Sequence, residues 1–387
     1  MSFKFPLATA TWGQEELDAM QRVIASGMFT MGANVQAFER DFAQYVGSKY
    51  CVMVNSGSSA NLLMVAALFY TKNAALKLQR GDEVIVPAVS WSTTYYPLYQ
   101  YGLKIKFVDI DLNTLNYDLD QLEQAVTDKT RAIMAVNLLG NPNDFDRIRQ
   151  IIGGRDIVLI EDNCESMGAS YNGKMAGTFG VMGSFSSFFS HHISTMEGGL
   201  IVTDDEELYH ILLSLRAHGW TRNLPRQNHV CEMSDDPFEE SWRFVLPGYN
   251  VRPLEMEGAL GVEQVKRLPH MVAERRQNGK LLQGTLGSHP DIMIQQEIGE
   301  SSWFGFSLVV RPGSKLTRKA LVVKLNELGF ECRPIVAGNF AKNEVVKYFD
   351  SEVHGTLKNA DHIDRNGLFV GNHHYPIPDA FEVLAQL

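Results

Sequence analysis

Short apolar runs rich in β-branched residues recur through the first half of the chain. They are Cys51–Val54, Val84–Val86, Ile105–Val108, Ala132–Val136, Ile157–Ile160 and Leu200–Thr203. Between them lie longer stretches with helical spacing of apolar positions, among them Asn61–Tyr70, Leu119–Ala125 and Phe145–Ile152. Strands alternating with helices predict a largely parallel, doubly wound sheet covered on both faces. No internal repeat or low-complexity segment interrupts this pattern.

Val245–Pro253 (VLPGYNVRP) is punctuated by Pro and Gly and precedes a long helical pattern, Leu254–Gln277. That reads as a hinge. Beyond it, Ser302–Val310, Lys319–Leu328 and Glu331–Ile335 predict a smaller strand–helix–strand unit. The expected division is a large α/β domain, 1–252, and a small C-terminal α/β domain, 253–387. At 387 residues the chain is long enough for both.

A net charge of -10 argues against a general nucleic-acid or anionic-membrane binder, which needs a basic surface. Met1–Trp12 lacks the apolar stretch of a signal peptide, and no apolar run is long enough to span a bilayer. Cys51, Cys164, Cys231 and Cys332 are scattered without a CxxC pair, which gives no metal or cluster spacing. Reduced thiols in a cytoplasmic protein, two or more of them buried, are expected.

Four segments carry candidate chemistry. Asn55–Asn61 (NSGSSAN) follows a strand and opens a helix, so free N–H groups and a positive dipole end could receive a phosphate; an ordinary serine-capped helix start reads equally well. Asp162 ends an apolar strand, where ligands of open α/β sheets sit, and could hold a protonated ring nitrogen; a solvated or capping Asp is the plain alternative. Trp91 could stack on a flat ring, although a core or interface tryptophan is commoner. Ser184–Gly199 (SFSSFFSHHISTMEGG) brings hydroxyls and adjacent histidines to a Glu-Gly-Gly turn before a strand. Gly168–Lys174 imitates the start of a P-loop, but Met175 stands where a Ser or Thr is required, and Asn172-Gly173 reads as a type I′ hairpin turn.

Together these segments resemble the pyridoxal-phosphate (PLP)-dependent sugar aminotransferase/dehydratase family acting on nucleotide-linked 4-keto-6-deoxy sugars. The likeness runs through Met31-Gly32, NSGSSAN, VPAVSW, FVDID, NLLGNP, EDNCES, SFSSFFSHH, LRAHGWTR and PGYNVRP, nearly end to end. It implies an aspartate aminotransferase-like fold of type I. Most members carry a lysine, covalently bonded to the cofactor, before the Glu-Gly-Gly turn; counting back from Glu197, that place is His191. No lysine occurs between Lys174 and Lys266 to replace it.

Histidine at that position is similar to the 3-dehydratase branch, which makes 3,6-dideoxy sugars such as colitose. The stretches AHGWTRNLP, ECRPIV and LFVGNH favour its GDP-sugar members. A CDP-sugar relative uses an iron–sulfur cluster and a reductase partner, for which the cysteines here supply no ligands. The resemblance implies that Gly57, Ser58 and Ser186 hold the cofactor phosphate, Trp91 stacks on the ring and Asp162 pairs with its nitrogen. Glu165, where relatives often have Gln, lies near the ring hydroxyl. Asn250 reaches the phosphate of the neighbouring subunit in a homodimer, and Arg222 and Glu331 contact substrate.

The implied reaction begins with L-glutamate converting PLP to pyridoxamine phosphate, held without a covalent link. His191 then moves protons while the C3 hydroxyl leaves and ammonia is released. Rival readings are a sugar 4-aminotransferase of the perosamine synthase type, the reductase-coupled dehydrase, and a non-catalytic PLP- or nucleotide-sugar-binding protein.

Overall fold

The computed structural model describes residues 3–387. The apolar runs form the strands of an eight-stranded sheet. They are β1 (Tyr50–Val54), β2 (Glu83–Pro87), β3 (Lys104–Val108), β4 (Thr130–Val136) and β5 (Val158–Asp162). A two-stranded hairpin, β6 (Ser170–Tyr171) and β7 (Lys174–Met175), turns through Asn172 and Gly173 at φ 49° and 76°, the positive pair a type I′ turn requires. Next come β8 (Met182–Ser186) and β9 (Gly199–Thr203).

The sheet order is β1-β9-β8-β5-β4-β2-β3-β13, where β13 is Ser351–Val353. Only β9 runs against its neighbours. Both faces are covered: every residue of β2, β5, β8 and β9 is buried, as expected of a sheet between two helical layers. The helix Gly57–Tyr70 is apolar nearly all round and lies within the main core with Tyr95, Leu212 and Ile201.

A second sheet, in the order β10-β11-β14-β12, is antiparallel throughout. Its strands are β10 (Ile292–Ile294), β11 (Gly305–Val310), β12 (Cys332–Arg333) and β14 (Gly367–Gly371). The 32-residue helix Glu255–Leu286 joins the two sheets, packing Leu268 and Val272 in one core and Leu282 and Leu286 in the other.

The chain crosses the expected division at residues 252 and 253 in both directions. β13 returns to the large sheet and pairs in parallel with β3, while Phe5 pairs with Phe330 and packs in the small core. Of the four cysteines only Cys51 is buried, so the expectation of two or more is corrected; the others line half-covered loops and strand ends, and all four are free thiols. Among the described residues no helix is long and apolar enough to cross a membrane.

Candidate active site

Four chain turns converge at the carboxyl ends of the parallel strands. Val136, Asp162 and Ser186 are the last residues of β4, β5 and β8, and Ser56-Gly57 follows β1. They line a cavity of about 350 Å³ with Ser58, Trp91, Glu165, His191, Phe304 and Arg333. This is where a doubly wound sheet leaves a crevice between diverging loops.

The cavity's floor is a fixed carboxylate. Asp162 Oδ2 accepts hydrogen bonds from Asn61 Nδ2 and Thr94 Oγ1, both at 2.8 Å, and Oδ1 accepts from the Cys164 N–H at 3.1 Å. Asn61 is itself held, its Oδ1 accepting from the Ser184 hydroxyl at 2.6 Å. Such a buried, three-fold hydrogen-bonded carboxylate suits a cationic partner facing it from the cavity.

At one end Ser56 caps the helix Gly57–Tyr70 by accepting from the Ser59 N–H, and the first turn presents its remaining N–H groups to the cavity beside Ser58 and Ser186. The room there depends on glycine: a Cβ on Gly57 would lie 2.7 Å from Ser186 Cβ and 2.9 Å from Cys164 Sγ. Trp91 stands at the mouth, 55% exposed, just before the helix Ser92–Gln100. An anion-receiving helix end, a fixed carboxylate and a flat side chain around one slot fit a phosphorylated pyridine such as PLP.

His191 lines this slot, set edge-on to Phe188 and tilted against Phe304 with centroids 5.1 Å apart. Its Nδ1 is buried without a hydrogen-bond partner. Burial, reinforced by the cations Arg333 and Arg275, pushes its pKa down to about 3. Both effects favour the neutral imidazole over the imidazolium. His192 is turned away: it is buried, and its Nε2 lies 3.2 Å from the Ser302 carbonyl. No lysine is among the lining residues.

Glu165 accepts from the Leu139 N–H at 3.1 Å, an alignment made by Leu139's left-handed backbone at φ 54°. Burial pushes its carboxyl up to about 7, against the pull of Arg333. Arg333 was not foreseen. It reaches the cavity from β12, with its guanidinium 4.7 Å from the Phe369 ring centroid. The only hint in the sequence is a charged residue within the short strand of ECRPIV.

Three expected residues lie elsewhere. Asn250 is exposed on an extended segment paired with Ala217, its Oδ1 accepting from Arg252 Nε. Arg222 lines a separate hollow with Tyr209 and Arg216. Glu331 is engaged with the Leu7 N–H at 2.9 Å, tying the N-terminal segment to the small domain.

A sheet covered by helices on both faces, with this slot at its strand ends, is the aspartate aminotransferase-like architecture of type I. The chain belongs to the DegT/DnrJ/EryC1/StrS aminotransferase family, whose pattern matches residues 11–377. Within it, the chain is 64% identical over 382 residues to GDP-4-keto-6-deoxy-D-mannose 3-dehydratase of Yersinia pseudotuberculosis, covering 98% of this chain and 97% of that protein. It superposes on the Escherichia coli GDP-4-keto-6-deoxy-D-mannose 3-dehydratase with bound hydrated PLP at a TM-score of 0.98 and 62% identity, covering 100% and 99% of the two chains. Another structure of a GDP-4-keto-6-deoxymannose 3-dehydratase, holding a trapped PLP–glutamate geminal diamine, matches at a TM-score of 0.97 and 62% identity over 99% of each chain.

Proposed function

We propose that the protein removes the C3 hydroxyl of GDP-4-keto-6-deoxy-D-mannose in a PLP- and glutamate-dependent reaction. The products are GDP-4-keto-3,6-dideoxy-D-mannose, ammonia and 2-oxoglutarate, on the route to colitose-type O-antigen sugars. One observation carries the reading: a cavity shaped for PLP is lined by a histidine and by no lysine. The similarity to dehydratases, one with bound PLP and one with a trapped PLP–glutamate adduct, supports it.

When bound in its amine form, the cofactor supplies a nitrogen to carry the sugar's C4 carbon and a ring that accepts electrons. Gly57, Ser58 and Ser186 bind its phosphate without taking a proton from it. Asp162 keeps a proton on the ring nitrogen, its charge fixed by Asn61 and Thr94. Trp91 covers one ring face and excludes water.

His191 takes the proton from the carbon that joins ring and amine, and delivers it to the C3 oxygen as that group leaves. Burial and two arginines favour its neutral form, the form that can act as a base. Without a lysine amine in the cavity to free an amino sugar from the cofactor, the dehydrated sugar leaves with its nitrogen as an enamine, tautomerises and is hydrolysed by water to the ketone and ammonia.

Asn250 is assigned to the cofactor phosphate of a neighbouring subunit in a homodimer. Its exposure supports this, as do Phe238, Trp242 and Phe244 nearby, 82%, 65% and 56% exposed. The proposed nucleotide-sugar substrate supports a cytoplasmic setting.

The test is turnover of a panel of GDP-, CDP- and dTDP-linked 4-keto-6-deoxy sugars with PLP and glutamate. The GDP-mannose derivative should react fastest and lose its C3 oxygen. A preference for a CDP-sugar, or a need for an iron-dependent reductant, would overturn the assignment.

A further inference from the structure

We infer that Phe304 is a positioning residue for His191: a ring held in a rigid strap aims an imidazole that has no hydrogen bond at its buried nitrogen. The inference rests on the proposed reaction, in which His191 moves the protons. A base that serves two atoms in turn needs a defined direction, and a misplacement of about 1 Å costs on the order of 10²-fold in rate.

A catalytic histidine is ordinarily oriented by a third group hydrogen-bonded to its second ring nitrogen. Here that group is missing, because Nδ1 of His191 is buried without a partner. The main chain fixes only the start of the side chain, its N–H donating to the Phe188 carbonyl at 2.9 Å. Packing must therefore place the imidazole. The aromatic rings against it are Phe188, edge-on with centroids 5.9 Å apart, and Phe304 at 5.1 Å. Phe188 is part-exposed and belongs to the same turn, so it offers no independent reference. Phe304 is buried and arrives from just before β11.

Phe304 ends a segment, Ser301–Phe304, that is clamped far beyond what core packing requires. It crosses close to the turn Leu138–Gly140: the Ser302 N–H donates to the Gly140 carbonyl at 2.9 Å, and the Phe304 N–H to that of Leu139 at 3.1 Å. A Cβ on Gly140 would lie only 2.6 Å from Trp303 N. Trp303 takes a left-handed backbone at φ 46°, which a bulky residue keeps only where its surroundings enforce it.

The carbonyls show the enforcement. Those of Ser301, Ser302, Trp303 and Phe304 each accept from a side chain outside the segment: Arg276 Nε at 3.0 Å, His192 Nε2 at 3.2 Å, Asn372 Nδ2 at 2.8 Å and Arg275 Nη1 at 3.0 Å. Arg275 is buried and commits the same Nη1 to the Asn372 carbonyl as well, at 2.9 Å. What this strap delivers to the cavity is one ring, backed by Phe369 at 6.0 Å and set against His191.

The test compares PLP-loaded wild type with Phe304→Leu and Phe304→Met, which replace the flat ring by an apolar chain, each first shown to melt cooperatively. With glutamate and GDP-4-keto-6-deoxy-D-mannose, kcat for ammonia release should fall about 10- to 100-fold while KM and the Kd for PLP stay within about threefold. Placed in a His191→Asn background, the same substitutions should change the rate by less than about threefold, because they act through the imidazole. In protein labelled with ¹³C-histidine, the His191 Cε1–Hε1 signal, assigned by its loss in His191→Asn, should be single in wild type. It should be doubled or exchange-broadened in both variants.

Equal losses in the two backgrounds, a PLP affinity that falls in step with the rate, or a His191 signal that stays single would overturn the inference. If wild type releases no ammonia from any sugar, the dehydratase reading fails, and the His191 signal still decides whether Phe304 aims the imidazole.

Discussion

At the scale of single residues, the role proposed for His191 in a cavity without lysine would separate proton transfer from covalent tethering. His191→Asn should keep the cofactor and lose about 10²- to 10⁴-fold in ammonia release, the range for a removed general base. His191→Lys should restore a tether, seen as a cofactor adduct at position 191 after borohydride treatment, and still lose most dehydratase activity. Wild type should yield no such adduct. His192→Ala should stay within about tenfold of wild type, because His192 faces Ser302 and not the cavity; its cost is the stability of a filled, buried site.

Glu165 gives a pH signature of defined sign. Its folded pKa is raised to about 7 from 4.5, so its contribution to stability is fully present below about 4.5 and is lost as pH rises through 7. Glu165→Gln, which mimics the neutral acid, should therefore gain about 1–2 kcal/mol on wild type between pH 5 and pH 8. Melting curves of the two proteins at both pH values check this; a constant difference would contradict the burial assigned to Glu165. His191 acts in the opposite sense, since a lowered pKa withdraws stability as pH falls from about 6.5 toward 3.

At the scale of elements, the phosphate end is a strand–turn–helix in which glycine is a packing requirement. Gly57→Ala should weaken PLP binding at least about tenfold while the sheet survives, because the added methyl meets Ser186 and Cys164. Equilibrium dialysis against PLP measures it, and wild-type affinity would contradict the cradle. A second device is the Glu255 carboxylate, which accepts from the N–H groups of Gly32, Asn34 and Val35 at the start of the helix Ala33–Val46. Glu255→Ala should cost about 1–2 kcal/mol in denaturant unfolding.

These elements also show what could be read in advance. The strands β1 to β5 and β9 were legible because each has an apolar run at its centre, as two-sided burial demands. β8 was not recognised as a strand, since its Gly-Ser-Phe-Ser reads as loop; its serines are buried against Asn61 and Phe188 instead. β13, the polar Ser351–Val353, was unreadable because its place is set by an edge pairing with β3 about 250 positions earlier.

At the scale of the whole molecule, the cavity residues contributed by local motifs were legible: Gly57, Ser58, Trp91, Asp162, Glu165, Ser186 and His191 all line it. Each sits in or beside a recognisable strand end or turn. Arg333 and Phe304 were missed because one lies in the short strand β12 and the other just before β11, so only the placement of the second sheet brings them to the cavity. The same division of labour explains the chemistry. The large sheet contributes Asp162 and Ser186 to the cavity, and the second sheet contributes Arg333.

The central claim is that this lysine-free site eliminates a hydroxyl and releases nitrogen instead of installing it. The most direct measurement follows glutamate and GDP-4-keto-6-deoxy-D-mannose in deuterated water, scoring ammonia, 2-oxoglutarate and the isotopic pattern of the sugar. One ammonia should appear for each 2-oxoglutarate, with solvent deuterium at C3 of a sugar that has lost its C3 oxygen. A sugar that keeps its C3 hydroxyl and carries an amino group at C4, with no free ammonia, would contradict the account.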